Sequence, residues 1–242
     1  MSTSSEKTAE TTKETTSESV LGRSIAKNSL TLGLFAVLTV GLIAGTYVST
    51  KDRITAQIRA YEAKALKEIL PDTEHDNELL DTRVALAPSS LLATTEEKAA
   101  YVGFKAGEPV AVIIPTIAPD GYNGRIDLLV GIYADGSLAG VRATNHKETP
   151  GLGDKIETKV TDWILGFRGK SLENPKDKGW NVKKDGGQFD QFTGATITPR
   201  AVVASVHRTL NYFKDNKDRL FKEGRQALTA HKNVTLGESN DG

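Results

Sequence analysis

The stretch RIDLLVGIYADGSLAGVRATN, residues 125–145, decides the fold of this chain. Two largely apolar runs, RIDLLVGIY and SLAGVRATN, lie on either side of the turn sequence Ala134-Asp135-Gly136. An Asp-Gly pair between apolar runs is a strong signal for a β-hairpin, because the turn positions need residues that tolerate positive φ. The stretch therefore predicts two antiparallel strands that are joined by a tight turn.

A second hairpin is predicted just upstream of the first. The runs YVGFK and PVAVIIPT flank the loop sequence 106–108, which contains the glycine expected between paired strands. Apolar residues recur at helical spacing in three further segments, 53–70, 154–167 and 199–221, and Pro71 ends the first of them. Hairpins with helices before and after them predict the α+β class, with an antiparallel sheet of hairpins and flanking helices.

Each helical segment has an apolar stripe that is expected to face the core. The first stripe is Ile54, Ile58, Tyr61, Ala65 and Ile69. The second is Ile156, Val160, Trp163 and Ile164. The third is Val202, Val203, Val206, Leu210 and Phe213. The residues after about 225 are polar and are expected to form a loose tail, residues 226–242.

The N-terminal region divides into a polar tail and an apolar run. Residues 1–22 are mostly Ser, Thr, Glu and Lys, a composition that predicts a disordered tail. Residues 28–50 carry no charge, and a helix needs roughly 20 apolar residues to cross a bilayer. The run predicts one uncleaved transmembrane anchor within 23–52. A cleaved signal peptide is the alternative, but its apolar region would be shorter, about 7 to 15 residues.

Composition excludes several classes of function. The chain has 31 basic and 31 acidic residues, so no basic surface for nucleic acid is expected. It has no cysteine, which excludes disulfides, cysteine-ligated iron–sulfur clusters, c-type haem and thiol nucleophiles. Its histidines lack metal-ligand spacing, and no nucleophile–base motif predicts catalytic residues. An electron carrier of this composition therefore needs an organic cofactor.

The stretch FDQFTGATITPRAVV, residues 189–203, is the first candidate site. Thr198-Pro199 predicts a helix start, since threonine caps helices and proline is pre-shaped for their first turn. Thr196 is then expected just before the helix, where backbone N–H groups and the helix dipole favour a phosphate. Gly194 and Ala195 leave a ligand room to approach. Taken alone, the pattern is more typical of threonines that satisfy loop and cap hydrogen bonds.

The stretch HKETPGLGDKI, residues 146–156, is the second candidate site. It follows a predicted strand and contains one proline and two glycines, so it is expected to be a shaped loop. Glycines let backbone lie against a flat ring, and loops on a rigid sheet commonly carry binding groups. The alternative is a tight connection whose charged residues are solvated.

These stretches together resemble the FMN-binding domain family. The sequence DQFTGAT (190–196) resembles the family's flavinylation signature, HKETPGLG (146–153) its H-x-E-T-P-G-L-G loop, and GYNGRI (121–126) the start of its central hairpin. With an apolar span ahead of them, they are most similar to the G subunits of Rnf (Rsx) ion-translocating electron-transport complexes. The C subunits of sodium-translocating NADH:quinone reductases share the flavin threonine and are the nearest alternative.

The resemblance implies a membrane-anchored flavoprotein subunit, an electron carrier rather than an enzyme on its own. A flavin transferase would use FAD to esterify a threonine with FMN, and the complex would couple electron flow between ferredoxin and NAD to ion movement. The implied location is the bacterial inner membrane, with an FMN-binding domain at 53–225 on the periplasmic side and the other membrane subunits as partners. The residues implied for the cofactor site are Thr196 as acceptor; Asp190, Thr193, Gly194 and Ala195; and His146, Glu148, Thr149, Gly151, Leu152 and Gly153.

Two other functions fit the same pattern less fully. A subunit with this fold but no flavin would not need the DQFTGAT signature, which is intact here. A membrane-tethered sensor could use the 146–154 loop to bind a small ligand without any covalent bond. The mass of the native chain separates both from an electron carrier.

Overall fold

Five strands form one antiparallel sheet in the order β1-β2-β3-β4-β5, so strands that pair are neighbours along the chain. The computed structural model describes residues 27–51 and 63–238. The strands are β1 (Arg83–Leu86), β2 (Lys98–Lys105), β3 (Glu108–Gly121), β4 (Gly124–Tyr133) and β5 (Leu138–Asn145). This sheet of hairpins, with helices on either side of it in the sequence, confirms the predicted α+β class. The predicted tail at 1–22, residues 23–26 of the predicted anchor, residues 52–62 and residues 239–242 lie outside the described residues.

Both predicted hairpins are confirmed, and their turns explain the register. Lys105 pairs with Glu108 across a two-residue turn, in which Ala106 has a φ of 51° and Gly107 a φ of 83°. Two positive φ values give a twist that matches that of the strands. In the other hairpin, the Asp135 carboxylate accepts hydrogen bonds from the Ser137 N–H at 2.8 Å and hydroxyl at 2.7 Å. That side chain fixes the turn locally.

Both faces of the sheet are covered, which accounts for the continuous apolar run in β3. Val112 and Ile114 pack with the C-terminal helix (Ile197–Glu238) in the larger core. Ala111 and Ile113, which alternate with them, pack with Leu66 of the helical segment 63–69. A strand buried on both faces needs apolar residues at successive positions rather than alternate ones.

The helix Lys27–Lys51 is long and apolar enough to cross a membrane, with a mean hydropathy of 1.9. Its large apolar side chains are exposed. Its hydroxyls bond within the helix: Thr39 Oγ1 donates to the Phe35 carbonyl at 2.8 Å, and Ser49 Oγ to the Gly45 carbonyl at 2.8 Å. Such bonds satisfy polar groups where no water is present.

The continuous helix predicted over 154–167 is wrong. Two short 3-10 helices, Gly153–Ile156 and Trp163–Phe167, occupy the segment instead. The Thr161 hydroxyl donates to the Lys155 carbonyl at 2.7 Å and accepts the Trp163 N–H at 3.3 Å. A side chain that bonds local backbone in this way competes with the helical pattern. Of the predicted stripe, Ile156 and Ile164 are fully buried, whereas Val160 is exposed.

The C-terminal helix is longer than the predicted segment from Pro199 to about Phe221, and it runs to Glu238 through most of the expected tail. The five residues of the third stripe are all buried, as predicted. In the added part of the helix, Gly224 approaches the sheet closely: a Cβ there would lie 2.7 Å from Val102 Cγ2. Leu228, one turn further on, packs against the same core.

Candidate functional site

Thr196 lies immediately before the C-terminal helix, as predicted. Its carbonyl accepts the Arg200 N–H at 3.3 Å, which makes Thr196 the N-cap residue. The sequence predicted Thr198 as the cap. The helix instead begins at Ile197, so the cap is Thr196. Thr198 instead lies within the first turn, where it is fully buried.

The Thr196 hydroxyl has no hydrogen-bond partner within 27–51 and 63–238. An N-cap hydroxyl normally accepts an N–H from the second or third helical residue. The third residue here is Pro199, which has no N–H. The N–H groups of Ile197 and Thr198 have no acceptor in the same part of the chain. A free hydroxyl thus lies beside two free donors at the positive end of a long helix, an arrangement that suits a phosphate.

A tight turn brings Thr196 to this position. The Ala195 N–H donates to the Phe192 carbonyl at 3.1 Å, and Gly194 has a φ of 80°, which glycine adopts at little cost. Phe192 is buried and meets the Trp163 ring edge-on, with the ring centroids 5.0 Å apart. Thr193 and Gly194 remain exposed above this aromatic contact. The turn is therefore anchored by the buried Phe192, while Thr193 and Gly194 are accessible to solvent.

The loop 146–154 lies against this turn. The Thr149 carbonyl accepts the N–H groups of Leu152 at 3.1 Å and Gly153 at 3.0 Å, and Gly151 has a φ of 78°. Leu152 Cδ2 lies 3.6 Å from the place that a Cβ on Gly194 would take. The structure therefore brings together the two segments that the sequence singles out.

Glu148 is buried where the loop, the helix and the β3–β4 turn meet, with only 5% of its surface exposed. One carboxylate oxygen accepts the Asn123 N–H at 3.0 Å, and the other accepts the Thr198 hydroxyl. The Asn123 side chain also donates to Thr149 Oγ1 at 3.1 Å. The polar atoms of Glu148 and Thr149, expected from the sequence to contact a ligand, thus have protein partners.

His146 is a neutral side chain that shapes the loop. Its Nδ1 accepts the Glu148 N–H at 3.1 Å, so the proton is assigned to Nε2, which donates to Glu157 at 2.9 Å. Burial lowers the pKa of His146 from its ordinary value of 6.5, and this effect outweighs the nearby carboxylates of Glu148 and Asp154, which raise it. Protonation at Nδ1 would break the bond to the backbone of Glu148.

Asp190 is at the surface, apart from the buried contacts. Its carboxylate lies 2.6 Å from Lys183 Nζ, and the two side chains are 68% and 57% exposed. An exposed pair of this kind contributes about 0–1 kcal/mol, so the carboxylate is easily released to a partner. Behind it, Arg200 of the first helical turn bonds both oxygens of Asp185 at 2.6 and 2.7 Å. That bidentate pair ties the segment before the motif to the helix.

Three segments of the site each present one large, exposed apolar side chain. They are Tyr122 at 65% exposed in the β3–β4 turn, Leu152 at 41% in the loop and Ile197 at 45% after Thr196. In addition, the Oδ1 atom of Asp154 is buried and has no hydrogen-bond partner among the described residues. The exposed side chains can therefore offer apolar contacts to a flat ring.

Sequence reasoning missed Asn123 and the partnership of Thr198 with Glu148. Asn123 lies in the two-residue turn between Gly121 and Gly124, which pair across the hairpin. The Asn-Gly pair within GYNGRI was the available signal, because it marks a tight hairpin turn whose backbone N–H groups are free to bond elsewhere. No local signal relates Thr198 to Glu148, which lies fifty residues earlier.

Comparison with known proteins places the site in context. Residues 121–211 match the FMN-binding domain family, and residues 16–69 match the RnfG N-terminal region. The chain is 50% identical over 198 residues to the G subunit of the ion-translocating oxidoreductase complex of Shewanella loihica, and the match covers 82% of this chain and 93% of that protein. It is 52% identical over 198 residues to the protein of the same name from Pseudomonas aeruginosa, with 82% and 92% covered.

Among solved structures, the chain is similar to Shewanella oneidensis NqrC. The TM-score is 0.42 at 23% sequence identity, and the match covers 62% of this chain and 76% of that one.

Proposed function

Because the chain belongs to the family of G subunits of the ion-translocating oxidoreductase complex, we propose that it passes electrons through an FMN joined covalently to Thr196. With its FMN-binding domain, it is a flavoprotein subunit of such a complex. A single observation carries the proposal: among the described residues, the Thr196 hydroxyl has no hydrogen-bond partner, and it lies beside the N–H groups of Ile197 and Thr198, which have no acceptor there. A phosphoester at that hydroxyl would place phosphate oxygens where donors already point.

The residues around Thr196 fit an FMN. Gly194 and Gly151 adopt positive φ, so the two turns that border the threonine carry no side chain at those positions. Tyr122, Leu152 and Ile197 supply exposed apolar surface for a flat ring. Thr193, Ala195 and Gly153 would supply backbone beside the cofactor, while His146 and Thr149 hold the loop in shape.

Attachment would be a phosphoryl transfer that breaks the pyrophosphate bond of FAD. The Thr196 oxygen forms the new P–O bond to the FMN phosphoryl group of FAD, AMP leaves, and the hydroxyl proton is released. A transferase has to reach this hydroxyl and recognise its surroundings. Asp190 is suited to recognition because it is exposed and held only by the surface pair with Lys183.

FMN would supply the redox chemistry, and the protein would supply binding, position and electrostatics. A covalent bond prevents loss of the cofactor outside the cytoplasm and keeps it at high effective concentration beside its electron partners. We propose an anchor within 23–52 and a flavin domain at 53–225 on the periplasmic side of the bacterial inner membrane. Its partners would be the other membrane subunits of the complex, so the chain alone would have no substrate.

Intact-mass measurement of the full chain tests this function. The chain is produced in cells with and without a flavin transferase, and the variants Thr196→Ala and Thr193→Ala are produced beside it. The proposal expects a gain of FMN minus water in the wild type and in Thr193→Ala, only with the transferase, and none in Thr196→Ala. A wild-type chain that stays unmodified beside an active transferase refutes it and leaves the ligand-sensor function.

A further inference from the structure

Glu148 is a buried carboxylate at the point where three chain segments meet beside Thr196. It belongs to the 146–154 loop, and its partners are Asn123 of the β3–β4 turn and Thr198 of the C-terminal helix. These partners lie 25 residues before it and 50 residues after it in the sequence. No other described side chain near Thr196 bonds to both the β3–β4 turn and the C-terminal helix.

The space around this carboxylate is set by two glycines. A Cβ on Gly153 would lie 2.6 Å from Glu148 Oε2 and 2.9 Å from Thr198 Oγ1. A Cβ on Gly121 would lie 2.9 Å from Glu148 Oε1. Backbone therefore closes around both oxygens, and with 5% exposure the carboxylate has little room to turn toward a ligand.

The bond between Glu148 and Thr198 holds the helical turn that directly follows the attachment residue, Thr196. Thr198 is two residues after Thr196 in the first helical turn, and it is fully buried. Because the Thr196 side chain has no hydrogen bond to any described residue, it depends on this turn for its position. A helix end also frays readily unless side chains hold it.

We propose that Glu148 is a positioning residue for flavin attachment, which fixes the first helical turn against the loop through the Thr198 hydroxyl so that the Thr196 oxygen is correctly presented. This inference rests on the proposed function. It gives Glu148 a role through Thr196, in place of the direct contact with the flavin ring that the family resemblance suggests. Asn123 holds the second oxygen and thereby fixes the carboxylate.

The decisive comparison is between three variants of the full chain. Thr198→Ala removes the hydroxyl, and Thr198→Ser keeps it. Ser205→Ala is the matched control: Ser205 is a fully buried hydroxyl on the same helix that donates to the Ile117 carbonyl at 3.0 Å, away from Thr196. The measurements are the initial rate of FMN attachment by the transferase, followed by intact mass, and the thermal unfolding of each variant.

Attachment to Thr198→Ala should be about tenfold slower, because the helical turn that follows Thr196 loses its hydrogen bond to the charged Glu148. Thr198→Ser should recover to within about threefold of wild type because it keeps the hydroxyl. Ser205→Ala should stay within about twofold because the bond that it loses lies away from Thr196. If Thr198→Ala is folded and modified at the wild-type rate, the inference is overturned. An unmodified wild type would instead overturn the proposed function itself.

Glu148→Gln decides the matter if Thr198→Ala does not fold. The amide oxygen still accepts the Asn123 N–H, and the amide N–H group meets the Thr198 oxygen, so the link between loop and helix persists without the charge. A positioning role expects attachment within about threefold of wild type, since both bonds persist and lose only the contribution of the charge. Loss of attachment in folded Glu148→Gln would show that the charge itself is needed and would overturn the inference.

Discussion

Gly153→Ala should destabilise the domain more than any ordinary surface substitution. Gly153 begins a 3-10 helix with no positive φ, so alanine is compatible with its backbone. The added Cβ would meet Glu148 Oε2 at 2.6 Å and Glu148 Cβ at 2.9 Å, well inside the 3.4 Å at which ordinary contact begins. Glu148 cannot move away freely, because only 5% of its surface is exposed.

The expected loss follows from two effects. Overpacking a well-filled interior by one carbon costs about 1–3 kcal/mol. If the carboxylate moves to relieve the contact, its bond with the Thr198 hydroxyl is weakened, and a hydrogen bond to a charged group contributes about 1.5–3 kcal/mol. Since relief of one effect produces the other, the free energy of unfolding should fall by about 2–3 kcal/mol rather than by their sum.

Urea unfolding of the full chain in detergent, followed by tryptophan fluorescence, measures this loss. The chain has two tryptophans, and both lie in the sheet domain. Gly166→Ala is the matched control, because Gly166 also lies in a 3-10 helix and a Cβ there meets nothing within 4 Å. The control should be neutral or slightly stabilising, by up to about 1 kcal/mol. If Gly153→Ala unfolds at the same urea concentration as Gly166→Ala, Glu148 is not tightly enclosed.

Three more perturbations test other parts of the structure. Gly194→Ala should lower the free energy of unfolding by about 1–2 kcal/mol, because alanine is strained at a φ of 80°; an unchanged urea midpoint contradicts this turn geometry. The domain should lose stability as the pH falls below about 6.5, because the unfolded His146 takes up a proton that the folded ring, with its lowered pKa, resists. His146→Gln should flatten that part of the stability–pH curve relative to wild type, and a curve of unchanged slope contradicts a buried neutral ring. Burial and, to a smaller extent, the neighbouring Glu74 raise the pKa of Tyr133 to about 12. The free energy of unfolding should therefore also fall as the pH rises from about 10 toward 12. Tyr133→Phe should remove that alkaline loss, and its persistence in the variant would assign it to another group.

Local turn chemistry made the hairpins predictable. Asp135 bonds the backbone and hydroxyl of Ser137 within one turn, and Gly107 supplies a positive φ two residues after β2 ends. Both features involve only sequence neighbours. The apolar run in β3 was also readable, because its residues alternate between two covered faces.

The segment 154–167 shows where periodicity is insufficient. Its apolar residues have helical spacing, and Ile156 and Ile164 are buried as expected. The Thr161 hydroxyl nevertheless bonds the Lys155 carbonyl and the Trp163 N–H, and these local bonds replace the regular helical ones. A hydroxyl in a helical pattern can bond either way, and tertiary packing selects between the two.

The candidate site was predictable in its parts but not in its connections. Thr196 was placed before a helix because Thr198-Pro199 signals a helix start. The link from Glu148 to Asn123 and Thr198 was not visible, since it joins segments 25 and 50 residues apart. Such long-range contacts depend on how the sheet and the C-terminal helix pack.

The position of the flavin on the chain is the most direct test of the proposed function. Cleavage after Lys184 and Arg200 releases residues 185–200, which carry Thr193, Thr196 and Thr198 in one peptide. The full chain is taken from cells with the transferase, denatured to remove non-covalent ligands, digested and fragmented in a mass spectrometer. We expect a yellow, fluorescent peptide in which the FMN phosphoryl group is on Thr196. A colourless peptide, or a flavin on Thr193 or Thr198, would contradict the assignment of Thr196 as the acceptor.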